Sequence, residues 1–189
     1  MALPCATQLW KMAFAMLSIL NDQRLDISYN SVPALARERR EAERAIAYWE
    51  EETKRLGRSP TLITFNSAEM LSEKWAHRFI VSMDPIVENW ALLFYGDKFA
   101  ALIGLPKKRD IGLIPLAQRL PARFLPVFIK GCTDTTSLGV PIPMEGAIER
   151  EDGRRELYRA VFITLRVRPH GLTRLAFGTF NCRVEDKQG

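Results

Sequence analysis

The chain has 189 residues, 47% hydrophobic and 26% charged, and its 27 basic and 22 acidic side chains give a formal net charge of +5. This composition is typical of a globular domain and excludes intrinsic disorder, in which low hydrophobicity accompanies a high net charge. Charges of both signs are interspersed and the densest basic run, residues 107–109, is short, so we expect no nucleic-acid partner.

The N-terminal region contains an apolar segment at residues 9–20, LWKMAFAMLSIL. It is shorter than the roughly 20 residues that a membrane helix needs, and it includes Lys11, so we expect no membrane span. A secretory signal is not indicated either, because no basic region precedes the segment and no small-residue cleavage motif follows it. We expect an amphipathic N-terminal helix or an upstream extension. The cysteines show no CxxC or Cys/His spacing, which favours a reducing, cytoplasmic compartment.

Residues 33–56 are rich in helix-forming residues, with Pro33 in the first turn and Gly57 just past the end. An apolar stripe runs along this helix, because Leu35, Ala42, Trp49 and Leu56 recur every seven residues with Ile46 beside them. The stripe either packs on its own domain or pairs with a second chain. In the second case the candidate dimer contacts are Leu35, Ala42, Ile46 and Trp49.

Two extended segments follow, RFIVSM and VENWALLFYG, the second of which ends at Gly96. A short helix is predicted directly after it, with Asp97 as the N-cap and Gly104 as the C-cap. Apolar residues keep helical spacing from Ile114 to Lys130, and we expect Pro121 to start a second helix there and Pro126 to kink or shift it. Residues 131–139, GCTDTTSLG, are predicted to be a loop.

The remaining chain predicts three extended segments, at residues 140–151, 154–168 and 173–185, joined by the turn sequences DGRR and PHGL. Apolar residues occupy both alternations of the middle segment, so both faces of the sheet need cover. One face is expected to meet the short helices, and the N-terminal helical region with Trp49 is available for the other. This order of elements predicts an α+β fold with five principal strands.

Three stretches of this sequence resemble the PAS domain, in particular stand-alone bacterial PAS-like proteins: WALLFYGDKFAALIGL, RRELYRAVFITLRVRPHGLTRLAFGTF and the lead-in AIAYWEEETKRLGRSPTLITFNSAEM. The resemblance covers residues 42–184 and implies a five-stranded antiparallel sheet with the short helices of residues 97–130 over one face. We therefore expect an N-terminal helical extension at residues 1–58 and a PAS-like domain at residues 59–187.

The resemblance implies a sensor, a non-enzymatic regulatory protein of signal transduction that acts by binding a small ligand, by protein contact, or by both. We expect a cytoplasmic homodimer that passes its signal to a separate signalling protein, because no output domain follows Gly189. The alternative is a small α+β enzyme or carrier that binds an apolar ligand in the cavity between helices and sheet. The candidate pocket residues are Trp90, Phe94, Tyr95, Phe99, Phe124, Phe128, Tyr158, Phe162 and Phe177.

The cofactor, if there is one, is not identified by the sequence. Cys182 lies in an Asn-Cys-Arg string that resembles the flavin-binding motif of light-oxygen-voltage domains, but it falls in the last predicted strand instead of a central helix, so flavin is not expected. Haem is not expected, because residues 114–130 contain no histidine and His77 and His170 lie near a strand end and in a turn. No arrangement of residues indicates a catalytic set or a metal site.

Overall fold

Five antiparallel strands form one sheet in the order β2-β1-β5-β4-β3, and the described part of the chain adds four α-helices. The computed structural model describes residues 34–62, 76–106, 114–167 and 174–185, with side chains from Ala42 onward. In chain order the elements are helix α1 (Ala34–Leu56), strand β1 (Arg78–Met83), a 3-10 helix (Val87–Asn89), strand β2 (Ala91–Tyr95), helices α2 (Asp97–Ile103), α3 (Leu116–Arg119) and α4 (Leu125–Leu138), and strands β3 (Ile142–Glu149), β4 (Arg155–Arg166) and β5 (Arg174–Val184).

The predicted α+β fold with a five-stranded antiparallel sheet is confirmed. The three C-terminal strands are neighbours, and Ala160 at the middle of β4 lies opposite Met144 of β3 and Phe180 of β5. The amphipathic helix expected at residues 9–20 lies outside the described residues. The domain boundary near residue 58 stays a prediction.

The two faces of the sheet are both buried near its centre. Side chains such as Phe79, Phe162 and Phe180 belong to the core that also contains residues of α2, α3 and α4, so we call this the helix side of the sheet. The opposite alternation, which we call the outer face, is apolar and buried at Ile80, Ile163 and Phe177. Helix α1 packs against β4 and contributes to the cover of the outer face.

The chain leaves the sheet at Gly96, whose N–H donates to the Arg78 carbonyl at 2.9 Å. Helix α2 begins at the next residue, so Asp97 is its first residue and the prediction that Asp97 is the N-cap is wrong. Gly96 takes that position with φ −82° and no side-chain cap. The predicted C-cap is confirmed, because Gly104 adopts the left-handed conformation (φ 76°) that glycine tolerates at a helix end.

Two predictions around the last helix are wrong. Helix α4 begins at Leu125 with Pro126 in its first turn, so the helix does not start at Pro121 and Pro126 does not kink it. Residues 131–139 are not a loop, because the helix continues to Leu138 and ends at Gly139, which has φ 69°. The physical reason is tertiary packing, since Cys132 and Thr135 in this stretch are completely buried against the sheet.

Candidate functional site

The space between the helices and the sheet is occupied by phenylalanine side chains. Helices α2 and α4, with the residue before α4, supply one half of the group, and strands β1, β4 and β5 supply the other. The six members, which we call the aromatic cluster, are all 0% exposed: Phe79, Phe99, Phe124, Phe128, Phe162 and Phe180.

The rings of the aromatic cluster touch one another throughout. The centroid of the Phe79 ring lies 4.8 Å from that of Phe128 and 5.4 Å from those of Phe99 and Phe162. Phe180 lies 5.3 Å from Phe128 and 5.2 Å from Phe124. These separations are within the range of 4.5–7 Å for favourable contacts between aromatic rings. The rings are therefore packed against one another in the region where the sequence places a pocket.

Two glycines let the rings lie directly against backbone. A Cβ atom at Gly131 of α4 would overlap the ring of Phe162, and a Cβ atom at Gly178 of β5 would overlap the ring of Phe79 and the carbonyl of Val161. The volume that side chains would normally occupy at these positions is taken by the two rings. Helix α4 can therefore approach the sheet closely, which supports a tightly packed core.

Seven of the nine predicted pocket residues lie on the helix side of the sheet. Four of them, Phe99, Phe124, Phe128 and Phe162, belong to the aromatic cluster. The other three, Trp90, Tyr95 and Tyr158, border the cluster.

The hydroxyl and indole groups at this border bond to the protein's own backbone. The Tyr95 hydroxyl donates to the Pro106 carbonyl at 3.1 Å, and the Trp90 indole N–H donates to the Asp84 carbonyl at 2.8 Å. The ring of Tyr158 stacks on that of Phe180 with centroids 6.2 Å apart. The contacts of Tyr95 and Trp90 thus hold the border of the core together.

Phe94 and Phe177 lie on the outer face, so the structure does not bring them together with the other seven. The cause in β2 is a shift of register between Ile80 and Val81 of the partner strand, which places Tyr95, instead of Phe94, on the same side as Leu92. Phe177 pairs with Ile80 and stacks under the guanidinium of Arg78, whose carbon lies 5.3 Å from the ring centroid.

Sequence reasoning missed Phe79 and Phe180. Both occupy the alternation of their strands that faces the helices, and Phe79 contacts three other members of the cluster. The signal was available in the alternating apolar residues of RFIVSM and LAFGTF, once the partner strands were known.

An ion pair joins the N-terminal end of α4 to the sheet. The Arg123 guanidinium donates from Nε to Oε2 of Glu156 at 2.9 Å, and the Glu156 side chain is only 4% exposed. Arg150 adds a longer contact of 3.9 Å to the same oxygen. Arg123 also lies over the ring of Phe124, 4.4 Å from its centroid, so the ion pair closes one end of the aromatic cluster.

Threonines fix the other end of α4. The Thr135 hydroxyl donates to the Val140 carbonyl at 2.8 Å and accepts from the Thr164 backbone N–H at 3.0 Å. The neighbouring carbonyl of Thr136 accepts from the Arg174 guanidinium at 2.9 Å. Both ends of the helix are therefore tied to the sheet by polar contacts.

The candidate redox and metal residues lie apart. Cys132 is buried in α4, and desolvation raises the pKa of its thiol far above the usual range. Cys182 lies in β5, as predicted, opposite Tyr158. His77 directly precedes β1, and His170 is outside the described residues. Among the described residues, no three His, Cys, Asp or Glu side chains come together as metal ligands, and no helix is long and apolar enough to cross a membrane.

The predicted dimer stripe on α1 packs within its own chain where it is described. Ala42 is 8% and Trp49 is 6% exposed, and Ile46 is half-buried. The side chain of Leu35 lies outside the described residues. Burial of Ala42 and Trp49 favours the first of the two interpretations of the stripe, packing against the domain.

Comparison with known proteins finds similarity in structure and not in sequence. No family model matches the chain, and no curated protein matches it. A domain of an HTR-like protein from Haloarcula marismortui is similar over 58% of this chain and 98% of that chain, with 14% identity and a TM-score of 0.40. The PAS domain of a protein from Colwellia psychrerythraea is similar over 58% of this chain and 89% of that chain, with 13% identity and a TM-score of 0.40.

A light-oxygen-voltage domain is similar over 65% of this chain and 87% of that chain, with 16% identity and a TM-score of 0.40. The five-stranded antiparallel sheet and the helices over one face are those that the sequence resemblance implies, although α4 extends beyond residue 130 to Leu138. With its five-stranded antiparallel sheet and short helices over one face, the chain has a PAS-like fold.

Proposed function

We propose that this protein is a non-enzymatic PAS-like regulatory module that acts by protein contact and carries no small ligand in its core. The observation that supports this proposal is the aromatic cluster, whose six rings are fully buried and in mutual contact. A molecule that enters between these rings has to displace them from contacts of large value, since truncating a buried phenylalanine to alanine costs about 3–5 kcal/mol. Signal transfer therefore depends on the protein's surface and on a separate partner protein in the cytoplasm.

The alternative is a small α+β enzyme or carrier of an apolar ligand, and it requires polar groups that orient the bound molecule. Two of the candidate pocket residues, Tyr95 and Tyr158, carry hydroxyls that could serve this purpose. The Tyr95 hydroxyl is engaged by the Pro106 carbonyl. The Tyr158 ring stacks on Phe180 and lies so close to Gly146 of β3 that a Cβ atom there would overlap it. These contacts favour a structural role for both tyrosines over the orientation of a substrate.

Native mass spectrometry of the full chain, purified from its own host, tests the proposal. The expected spectrum contains the polypeptide mass without a bound small molecule, together with complexes formed with protein. A stoichiometric small molecule that dissociates when the protein is unfolded would overturn the proposal and favour the alternative. Denaturing mass spectrometry of the same sample is the control, because it separates covalent modification from a bound ligand.

A further inference from the structure

Strand β3 forms one edge of the sheet and β2 forms the other. The two edges differ, because another segment of the chain covers β2. Ala91 of β2 forms a bridge with Pro115, and the Leu116 N–H donates to the Trp90 carbonyl at 2.6 Å, so the segment before α3 covers that edge. Among the described residues, β4 is the sole strand that pairs with β3. An uncovered edge presents backbone donors and acceptors to other chains.

The hairpin geometry shows which residues of β3 direct their backbone groups outward. The Arg150 N–H donates to the Arg154 carbonyl at 2.9 Å, so this even-numbered position points toward β4. Backbone direction alternates along an antiparallel strand, so the odd-numbered positions point away from the sheet. Pro143 fits this assignment, because a proline in a strand is tolerated where its nitrogen faces the open edge.

The edge is also accessible from the outer face. Pro143, Glu145, Ala147 and Glu149 are all exposed, alternating with half-buried residues along the whole strand. The strand spans eight residues, so it offers a long edge for pairing. Glu145 is held by Arg159 through two hydrogen bonds of 2.9 and 3.2 Å, which keep its carboxylate over β4.

We propose that β3 pairs with β3 of a second copy of this chain, antiparallel and centred on Gly146, to form one continuous sheet. When the two-fold axis passes through a residue of β3, the outer faces of the two copies lie on the same side of the joined sheet. An axis at Glu145 would set Glu145 against itself, and an axis at Ala147 would set Glu145 against Glu149, both of which bring like charges together. The axis at Gly146 avoids this, because it sets Glu145 opposite Ala147 and Glu149 opposite Pro143.

The same register joins apolar side chains on the helix side of the sheet. Met144 lies opposite Ile148 of the second copy, and both side chains are partly buried against the core of their own chain. The same strand of each copy thus forms both halves of the interface, and its contacts are reciprocal, as a two-fold interface requires. A pair of edge strands buries less than the roughly 800 Å² per partner of a standard interface, so the dimer should dissociate on dilution.

The variant Ala147→Pro tests the edge without disturbing the hairpin. The Ala147 N–H points away from β4, so a proline there removes an outward donor and leaves the bonds between β3 and β4 intact. Sedimentation velocity over a wide range of concentration should show a monomer–dimer equilibrium for the wild type and a dissociation constant at least about tenfold higher for the variant. Circular dichroism checks that the variant is folded.

The variant Ala147→Lys tests the register. In the proposed register each lysine faces Glu145 of the other copy, so the dissociation constant should fall by about threefold or more. An axis at Ala147 would instead set the two lysines against each other and raise the constant. The proposal is overturned if the wild type is monomeric at every concentration, if Ala147→Pro dimerises as well as the wild type, or if Ala147→Lys weakens the dimer. These outcomes leave the proposed function untouched, because they do not depend on whether the core holds a ligand.

Discussion

At the scale of single residues, Gly131 determines how closely α4 approaches the sheet. The ring of Phe162 occupies the position that a Cβ atom at residue 131 would need. Glycine is normally a poor choice within a helix, where it costs about 1 kcal/mol relative to alanine. Its presence here is explained by packing, because the Phe162 ring lies directly against the helix at this residue. This close contact outweighs the cost in helix propensity.

We therefore expect Gly131→Ala to lower the free energy of unfolding, although alanine favours the helix. Overpacking of a filled core costs about 1–3 kcal/mol, which exceeds the gain in propensity of about 1 kcal/mol over most of that range. Urea unfolding followed by circular dichroism measures the change. Thr133→Ala, at an exposed position of the same helix, is the matched control and should be neutral or slightly stabilising. Equal stabilisation by both substitutions would show that the Phe162 ring does not obstruct a Cβ atom at residue 131.

At the scale of elements, the hairpin between β3 and β4 is held by a carboxylate in its turn. Asp152 accepts hydrogen bonds from the backbone N–H of Arg154 at 3.0 Å and from its guanidinium at 2.6 and 2.9 Å. The side-chain hydrogen bonds from Arg154, followed by its backbone bond, lower the pKa of Asp152 from 3.8 to about 2. Gly153 completes the turn with φ 73°.

The hairpin should therefore lose stabilisation in acid. Because the pKa of Asp152 is lower in the folded protein than in the unfolded chain, its contribution is present above pH 3.8 and is lost as the pH falls toward about 2. Carboxyl chemical shifts in an NMR titration give the pKa directly. The stability difference between the wild type and Asp152→Asn should be constant near neutral pH and should shrink across this window. A titration at the ordinary pKa would contradict the hydrogen bonding described here.

The elements also show what the sequence could predict and what it could not. Strands β3, β4 and β5 were predictable because alternation and turn residues are local signals, and Gly104 marked a helix end for the same reason. The C-terminal end of α4 was not predictable from the sequence. The GCTDTTSLG stretch has low helix propensity and is helical through contacts such as that of Thr135 with Thr164. The sequence does not separate Phe94 from its neighbour Tyr95, because the register shift in β2 that turns Phe94 to the outer face leaves no trace in it.

At the scale of the whole molecule, the arch of helices over the sheet encloses the protein's own side chains. The cluster extends from Phe124 at the Arg123–Glu156 ion pair to Phe162 beside Gly131, with Phe79 and Phe128 at its centre. Close packing of this cluster, with polar contacts at both ends of α4, couples the position of the helix to that of the sheet.

The filled core predicts that a binding cavity has to be created before a small apolar molecule can enter. Phe128→Ala removes the ring that contacts Phe79, Phe99, Phe162 and Phe180, and should lower the free energy of unfolding by about 3–5 kcal/mol. Benzene should then raise the melting temperature of the variant, because dry apolar cavities of this size bind it, and leave the wild type unchanged. Phe128→Leu, which leaves a smaller cavity, keeps the comparison available if the alanine variant does not fold, and its response to benzene should be weaker. Stabilisation of the wild type by benzene would mean that the aromatic cluster already surrounds a cavity, and the ligand-binding alternative would then replace the proposal of a filled core.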